Sequence, residues 1–330
     1  MPTSFDVCGI GNAIVDVIAP ATEAFLAEHG IAKGAMTLIF DEPMVEKLYA
    51  SMAPGQETSG GSAANTLAGI ASLGGKGAYI GKVADDQLGK VFRHDLNAGG
   101  VAYDTPPFTH GPSTARCMIN VTPDGQRSMS TYLGCSILLS PEDLDTVKIT
   151  NAQIVFLEGY LFDADEAKTA FIEASKLAHN AGRKVALTLS DLFCVNRHRS
   201  AFADLVAHHI DILFANEEEI KALYEVADFD AALAAARKDC GLIALTRSEK
   251  GSVLARGDEI VSVDAEPVSA VIDTTGAGDL YAAGVLFGLA TGRSLEVCGK
   301  LGSLAAAEII SHFGARPQTS LAALAAAKGL

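Results

Sequence analysis

No run of Lys and Arg, no C-x-x-C pair and no unbroken apolar stretch of membrane length occurs in this chain, and each absence removes a class of function. Acids outnumber bases, 40 Asp and Glu against 25 Lys and Arg, for a net charge of -15. Without a basic cluster to offset that field, nucleic acid and anionic membrane are poor partners. Apolar segments are interrupted by Gly or polar residues well short of a bilayer span. The cysteines (Cys8, Cys117, Cys135, Cys194, Cys240, Cys298) are scattered and read as reduced thiols of a cytoplasmic protein. Residues 1–6 carry no basic region ahead of an apolar one, so no secretory leader is expected. Two catalytic signatures are also missing. Without G-x-x-x-x-G-K-[ST], any ATP chemistry is not of the P-loop kind. Without G-x-S-x-G there is no nucleophile elbow for a serine hydrolase.

What is present is a core. Apolar residues make up 49% of the 330 and charged ones 20%, which suits one large α/β domain with an appendage, or two domains. From residue 153 the pattern alternates. Short apolar runs at 154–157, 185–189, 212–214 and 242–245 are separated by helix-like segments such as 167–181 and 201–209. Such runs form a parallel sheet covered on both faces, with ligands at the carboxyl ends of its strands. Earlier, residues 6–19 read as a central strand leading into a second extended piece, 36–40 as a strand and 43–52 as a helix. Runs 115–121 and 127–133 flank Pro123-Asp124-Gly125-Gln126, a hairpin signal. With few partners among the α/β units, segments of about 12–18, 34–41 and 103–135 are expected to form a small sheet over one end of a single domain spanning 1–330.

One stretch organises the rest: Asp273-Thr274-Thr275-Gly276-Ala277-Gly278-Asp279, opening the apolar helix Leu280–Leu289. The first N–H groups of a helix lack intrahelical partners and carry the positive end of its dipole. With glycines there, Gly276, Ala277 and Gly278 make an anion site, and Asp279 beside them can take a proton from an attacking hydroxyl. The plain alternative is an ordinary cap with an acidic first turn.

Other positions invite similar readings. Asp16 is an acid in an apolar stretch, either a strand-end residue in solvent or a carboxylate for sugar hydroxyls. Gly9 and Gly11 suggest a dinucleotide fingerprint, but Ile14 stands where the third glycine belongs. In Gly60-Gly61-Ser62-Ala63-Ala64-Asn65, Ser62 is the expected N-cap, the glycines admit a ligand to the backbone, and Asn65 points back towards it. Arg127 leaves the hairpin as a solvated charge or as a cation closing over phosphate oxygens. Asn216 and Glu219, three apart at a helix start, face the same way and can hold waters of a Mg²⁺ ion. Thr246, Arg247 and Gly251 follow a strand end where a nucleotide's phosphates would lie.

Taken in order, the Gly60–Asn65 and Asp273–Asp279 segments resemble the two signatures of the ribokinase-like (PfkB) carbohydrate kinases, and Asn216-x-x-Glu219 resembles that family's magnesium-associated motif. Within the family, Gly11-Asn12-Ala13-Ile14-Val15-Asp16 is most similar to the adenosine kinase branch. The resemblance implies a doubly wound α/β domain with a β-sheet lid and ATP-dependent phosphorylation of a nucleoside 5′-hydroxyl. It implies that Asp16 binds ribose hydroxyls, Asn12 lies near the base, Gly61 and Asn65 meet the ribose, Arg127 reaches the transferring phosphate and Asp279 is the base. Ile14, Leu38 and Leu133 would flank the nucleobase. Thr275 stands where many adenosine kinases carry Asn, and Ser303 where some carry a base-stacking His, so both are placed at the nucleotide. ATP and Mg²⁺ follow as cofactors, with K⁺ a further candidate, small molecules as the partners, and a monomer or homodimer. Inosine, guanosine, cytidine, ribose and fructose are the alternative acceptors, and a dinucleotide-dependent oxidoreductase is the remote one.

Overall fold

The computed structural model describes residues 3–330. Its strands are β1 (Phe5–Ile10), β2 (Ile14–Pro20), β3 (Met36–Leu38), β4 (Gln56–Gly60), β5 (Gly77–Ile80), β6 (Val101–Ala102), β7 (Ala115–Val121), β8 (Arg127–Tyr132), β9 (Ala152–Glu158), β10 (Lys184–Thr188), β11 (Ile212–Asn216), β12 (Leu242–Thr246), β13 (Ser252–Arg256) and β14 (Glu259–Val263). The helices are α1 (Glu23–Glu28), α2 (Glu42–Ser51), α3 (Ser62–Ser72), α4 (Gln87–Ala98), α5 (Thr146–Thr150), α6 (Asp165–Asn180), α7 (Leu192–His209), α8 (Glu217–Tyr224), α9 (Phe229–Asp239), α10 (Ala277–Ala290), α11 (Leu295–Ile310) and α12 (Leu321–Ala327).

Nine strands form the large sheet in the order β14-β13-β12-β11-β10-β9-β1-β5-β6. All neighbours from β12 to β6 are parallel, and β13 and β14 add an antiparallel edge. Side chains alternate across it, as the pleat requires. Ile154 and Phe156 of β9 join the core beneath α3, α10 and α11, whereas Val155 and Leu157 join the core beneath α6 and α7. Continuous apolar strands covered on both faces are what a doubly wound parallel sheet needs. Because the strands are parallel, the ends of β1, β9, β11 and β12 open on one edge, with Gly11, Glu158, Asn216 and Thr246 there.

A second sheet of five strands runs β3-β8-β7-β2-β4. It contains the expected hairpin, β7 with β8, and the second extended piece, β2, paired parallel to β7. Its fifth strand, β4, was not expected. Gln56-Glu57-Thr58-Ser59-Gly60 is polar throughout and has no apolar alternation to announce it, because it lies at the sheet's margin against β2. The β13 strand and helix α9 were likewise not anticipated. At α3 the cap is Gly61, at φ 91°, and Ser62 is the first helical residue. That displacement frees the Ser62 hydroxyl for another partner.

Candidate active site

Helix α10 begins in an unusual way. Its N-cap, Gly276, sits at φ 82° and no side chain caps the turn. A Cβ on Gly278 would meet nothing within 4 Å, so the first turn faces open space. The Ala277 N–H turns back on the Thr274 carbonyl at 3.2 Å, whereas no acceptor among the described residues takes the Gly276 and Gly278 N–H groups, which with the dipole are left to the cleft. Asp279 is swung against α3: Ser62 Oγ donates to one carboxylate oxygen at 2.6 Å and Asn65 Nδ2 to the other at 2.9 Å. Thr66 Oγ1 donates to the Asp279 carbonyl at 3.1 Å. Burial raises the Asp279 pKa, opposed by those two bonds and by the charge of Arg316. The Asn65 Oδ1 atom is buried without a hydrogen-bond partner among the described residues.

Asp16 faces the same cleft from β2. A Cβ on Gly60 would lie 2.5 Å from its carboxylate, and one on Gly61 would lie 2.3 Å from the Asn12 carbonyl. The two glycines thus let the β4–α3 turn close on β2, which no larger residue permits. Burial pushes the Asp16 carboxyl up to about 6, opposed by Arg316 and Arg127 and reinforced by Asp279. Arg127 is paired with Asp273, and its Nη1 reaches Thr275 Oγ1 at 3.4 Å. Asp273 also accepts from the Thr275 N–H and hydroxyl at 3.0 and 2.7 Å and from the Gly314 N–H at 3.1 Å. That carboxylate therefore shapes the loop entering α10. The Arg127 Nε is buried with no partner among the described residues. Two unsatisfied polar atoms, Arg127 Nε and Asn65 Oδ1, thus stand near two acids and an uncapped helix start. Buried polar atoms of this kind ask for a ligand or ordered water.

The pfkB family carbohydrate kinase model matches residues 37–321. This chain belongs to that family. Among similar solved structures, an adenosine kinase from Sinorhizobium meliloti is 54% identical, with 98% of this chain and 99% of that one covered and a TM-score of 0.90. A probable sugar kinase from Rhizobium etli is 50% identical, with 99% of each chain covered and a TM-score of 0.91. An ATP-dependent ribose-1-phosphate kinase from Halopiger xanaduensis is 30% identical across 84% of this chain and 88% of its own length. A PfkB kinase is a phosphotransferase with an alcohol acceptor, and the family uses ATP with Mg²⁺.

The residues expected on the nucleotide side of this PfkB chain have other partners. Asn216 and Glu219 form a reciprocal capping box on α8. Asn216 Oδ1 accepts from the Glu218 and Glu219 N–H groups, both at 2.9 Å, while a Glu219 carboxylate oxygen accepts from the Asn216 N–H at 2.9 Å. Burial pushes Glu219 up to about 7. Arg247, expected at phosphates, donates from Nε to Glu217 at 2.9 Å and lies 3.9 Å over the Phe229 ring. Gly251 holds a tight turn at φ 79°, where a Cβ would sit 2.1 Å from the Val263 carbonyl. Ser303 Oγ donates to the Asp264 carbonyl at 3.0 Å and accepts from the Glu266 N–H at 2.7 Å, stitching α11 to the loop after β14. Thr246 ends β12, half-buried. Among the described residues no three or more His, Cys, Asp or Glu side chains converge as a metal cage. Mg²⁺ keeps most of its waters and binds substrate phosphates with one or two protein oxygens, so exposed Asn216 at the sheet edge fits such an ion through water.

Asn12 departs most from expectation. It is 1% exposed. Its Nδ2 donates to Glu158 at 3.1 Å and its Oδ1 accepts from Ser136 Oγ at 2.9 Å, so its amide braces the β1–β2 turn. Ile14, Leu38 and Leu133 are each half-buried. Three residues at the site carried no functional reading in the sequence. Glu158, at the end of β9, accepts from the Ala63 N–H at 2.8 Å and is pushed up to about 7 by burial. A lone acid closing the apolar run Ile154–Leu157 is the same signal that singled out Asp16. Tyr160, 38% exposed, has its hydroxyl pKa raised by burial and by Asp191, Asp279, Glu158 and Glu219. Arg316 reaches the site from the far end of the chain.

Proposed function

We propose that this kinase transfers the γ-phosphate of ATP to the 5′-hydroxyl of adenosine, with Asp279 as the general base. The observation that carries the reading is the uncapped first turn of α10, with Asp279 held beside it by Ser62 and Asn65. Phosphoryl transfer asks a protein mainly for positioning and for charge stabilisation. Gly276 and Gly278, with Ala277 between them, would present N–H groups to the transferring phosphate. Arg127, released from Asp273, would meet its oxygens as the small sheet closes as a lid. Asp16, whose carboxylate has no bonded partner among the described residues, would take the ribose hydroxyls, aided by Gly60, Gly61 and Asn65. The half-exposed Tyr160 ring would offer the base an apolar platform. Asn216 and Glu219 would hold Mg²⁺ through water, which neutralises phosphate charge when bound, and Thr246, Thr275, Arg247, Gly251 and Ser303 would line the nucleotide side. K⁺ as an additional cation, and purine salvage as the role, belong to the same proposal.

A sugar acceptor is the second reading, and one observation favours it. Asn12, expected beside the base, spends its amide on Glu158 and Ser136. The test is ADP release from ATP·Mg²⁺ against adenosine, inosine, guanosine, cytidine, ribose and fructose. A dominant adenosine signal supports the proposal, and activity confined to a free sugar replaces it with the second reading.

A further inference from the structure

Arg316 lies in the loop after α11, and its guanidinium is spent on neutral oxygens. Its Nε and Nη2 donate to the Ser59 carbonyl at 3.0 and 2.8 Å, its Nη2 to Ser59 Oγ at 3.0 Å and its Nη1 to the Ala64 carbonyl at 2.5 Å. Among the described residues no carboxylate bonds it. A sequestered guanidinium normally pairs with an acid, because an uncompensated charge is expensive to desolvate. Burial lowers its pKa to about 10, which still leaves it cationic at neutral pH.

The two segments it grips are those that shape the site. Ser59 precedes Gly60, where a Cβ would lie 2.5 Å from the Asp16 carboxylate. Ser59 is also held from the other side, its N–H donating to Asp95 at 3.0 Å. Ala64 lies between Ser62 and Asn65, the two residues that hold Asp279. One side chain from the C-terminal loop therefore ties the end of β4, which lies against β2, to the first turn of α3, which holds Asp279. Arginine suits this task, since its planar fork presents several donors in fixed directions.

We propose that Arg316 is a positioning residue for phosphoryl transfer: it locks the supports of Asp16 and Asp279 and gives the cleft a fixed positive charge that no carboxylate bond consumes. The proposal rests on the phosphotransfer reading at Asp279. The charged and titratable groups around Asp279 are Asp16 from β2, with Arg127 of β8 beside it, Glu158 from β9, Tyr160 from the turn after β9, and Arg316 itself. Three of the four groups other than Arg316 are acidic when ionised. Arg316 offsets them, opposing the burial that raises the Asp279 pKa.

The test compares Arg316→Gln and Arg316→Lys with wild type. The carboxyl titration of Asp279 is followed by carbon-13 NMR, assigned by its loss in Asp279→Asn, alongside melting temperature and the pH profiles of kcat and KM. Glutamine removes the charge, so the Asp279 midpoint and the acid limb of kcat should both move up by about one pH unit or more. Lysine keeps the charge and loses the fork, so the limb should stay near its wild-type position while acceptor KM rises. A glutamine variant with the wild-type midpoint overturns the proposal, whether or not its melting temperature falls. Should glutamine fail to fold, lysine decides: raised KM with the limb held supports positioning, and unchanged kcat and KM contradict it. Because the titration needs no turnover, a wild type that phosphorylates none of the acceptors defeats the functional reading while the midpoint still judges Arg316.

Discussion

Helices α8 and α10 each carry a buried or half-buried acid in the first turn, and they treat it in opposite ways. In α8 the acid, Glu219, folds back on its own cap, and Asn216 returns the bond, so the start is sealed. In α10 the cap is a glycine with no side chain, and the acid is held by a different helix. Burial raises the pKa of both acids. The difference lies in what the N–H groups face: in α8 a carboxamide and a carboxylate, in α10 open space. A sealed start stabilises the fold, and an open one leaves room for an anion. A carboxylate in a helical first turn is therefore not by itself a site. Its partners decide.

The comparison breaks most visibly at Asp279. Replacing it by Asn should lower kcat by at least ~10²-fold, the scale of general-base catalysis. The melting temperature should change little, since the amide oxygen can still accept from Ser62 while its NH₂ donates to the otherwise unpartnered Asn65 Oδ1 once that side-chain amide turns over. Next come the glycines of the open start. Gly276→Ala places a side chain at φ 82° and brings a Cβ to 3.0 Å from that of Ala315. Thermal or urea unfolding should show a loss of about 1–2 kcal/mol, the usual penalty of the left-handed region. Gly278→Ala meets no neighbour, so stability should hold or rise by up to about 1 kcal/mol. If the turn binds phosphate, KM for ATP should nevertheless rise roughly tenfold, because the added methyl would stand in the open space and keep a phosphate from one charge-assisted hydrogen bond to the turn. The pair separates conformational need from ligand contact. At the sealed start, Asn216→Ala should lower stability by about 1 kcal/mol and raise the Mg²⁺ concentration needed for half-maximal activity, leaving kcat at saturating Mg²⁺ within a few-fold of wild type. A kcat loss matching that of Asp279→Asn would erase the contrast.

The smallest effect is on pH. Burial raises Glu158 and Glu219 to about 7 and Asp16 to about 6 in the folded chain. Between their ordinary values and these, the folded state holds protons that the unfolded state has released. Stability should therefore fall as pH rises from about 5 to 7. Glu158→Gln should flatten part of that slope in melting-temperature profiles. The kcat profile should run the other way on its acid limb, since Asp279 must be deprotonated to accept a proton.

How legible the molecule was depended on distance along the chain. The Asp273–Asp279 turn, the β7–β8 hairpin and the parallel strands each announce themselves within a dozen residues, by glycine, turn chemistry or apolar run. Strand β4 did not, because a polar edge strand has no hydrophobic period to read. Ser62 looked like a cap because Ser commonly is one; Gly61 took that place, and the hydroxyl went to Asp279, 217 positions away. The bonds of Arg316 to Ser59 span 257 positions and those of Glu158 to Asn12 span 146, and no local pattern records either. The partners of the Asn12 amide were illegible for the same reason, since they come from β9 and from the turn after β8. Local chemistry marked where the site begins, and tertiary contacts chose which polar groups remain free in it.

Phosphate transfer to adenosine measured side by side for wild type, Asp279→Asn and Glu219→Gln tests the central claim most directly. The account predicts that, at saturating Mg²⁺, Asp279→Asn falls by at least ~10²-fold in kcat while Glu219→Gln stays within a few-fold of wild type and shows its loss as a higher Mg²⁺ requirement, both chains melting cooperatively. Near-full activity in Asp279→Asn, or an equal collapse in Glu219→Gln, would contradict it.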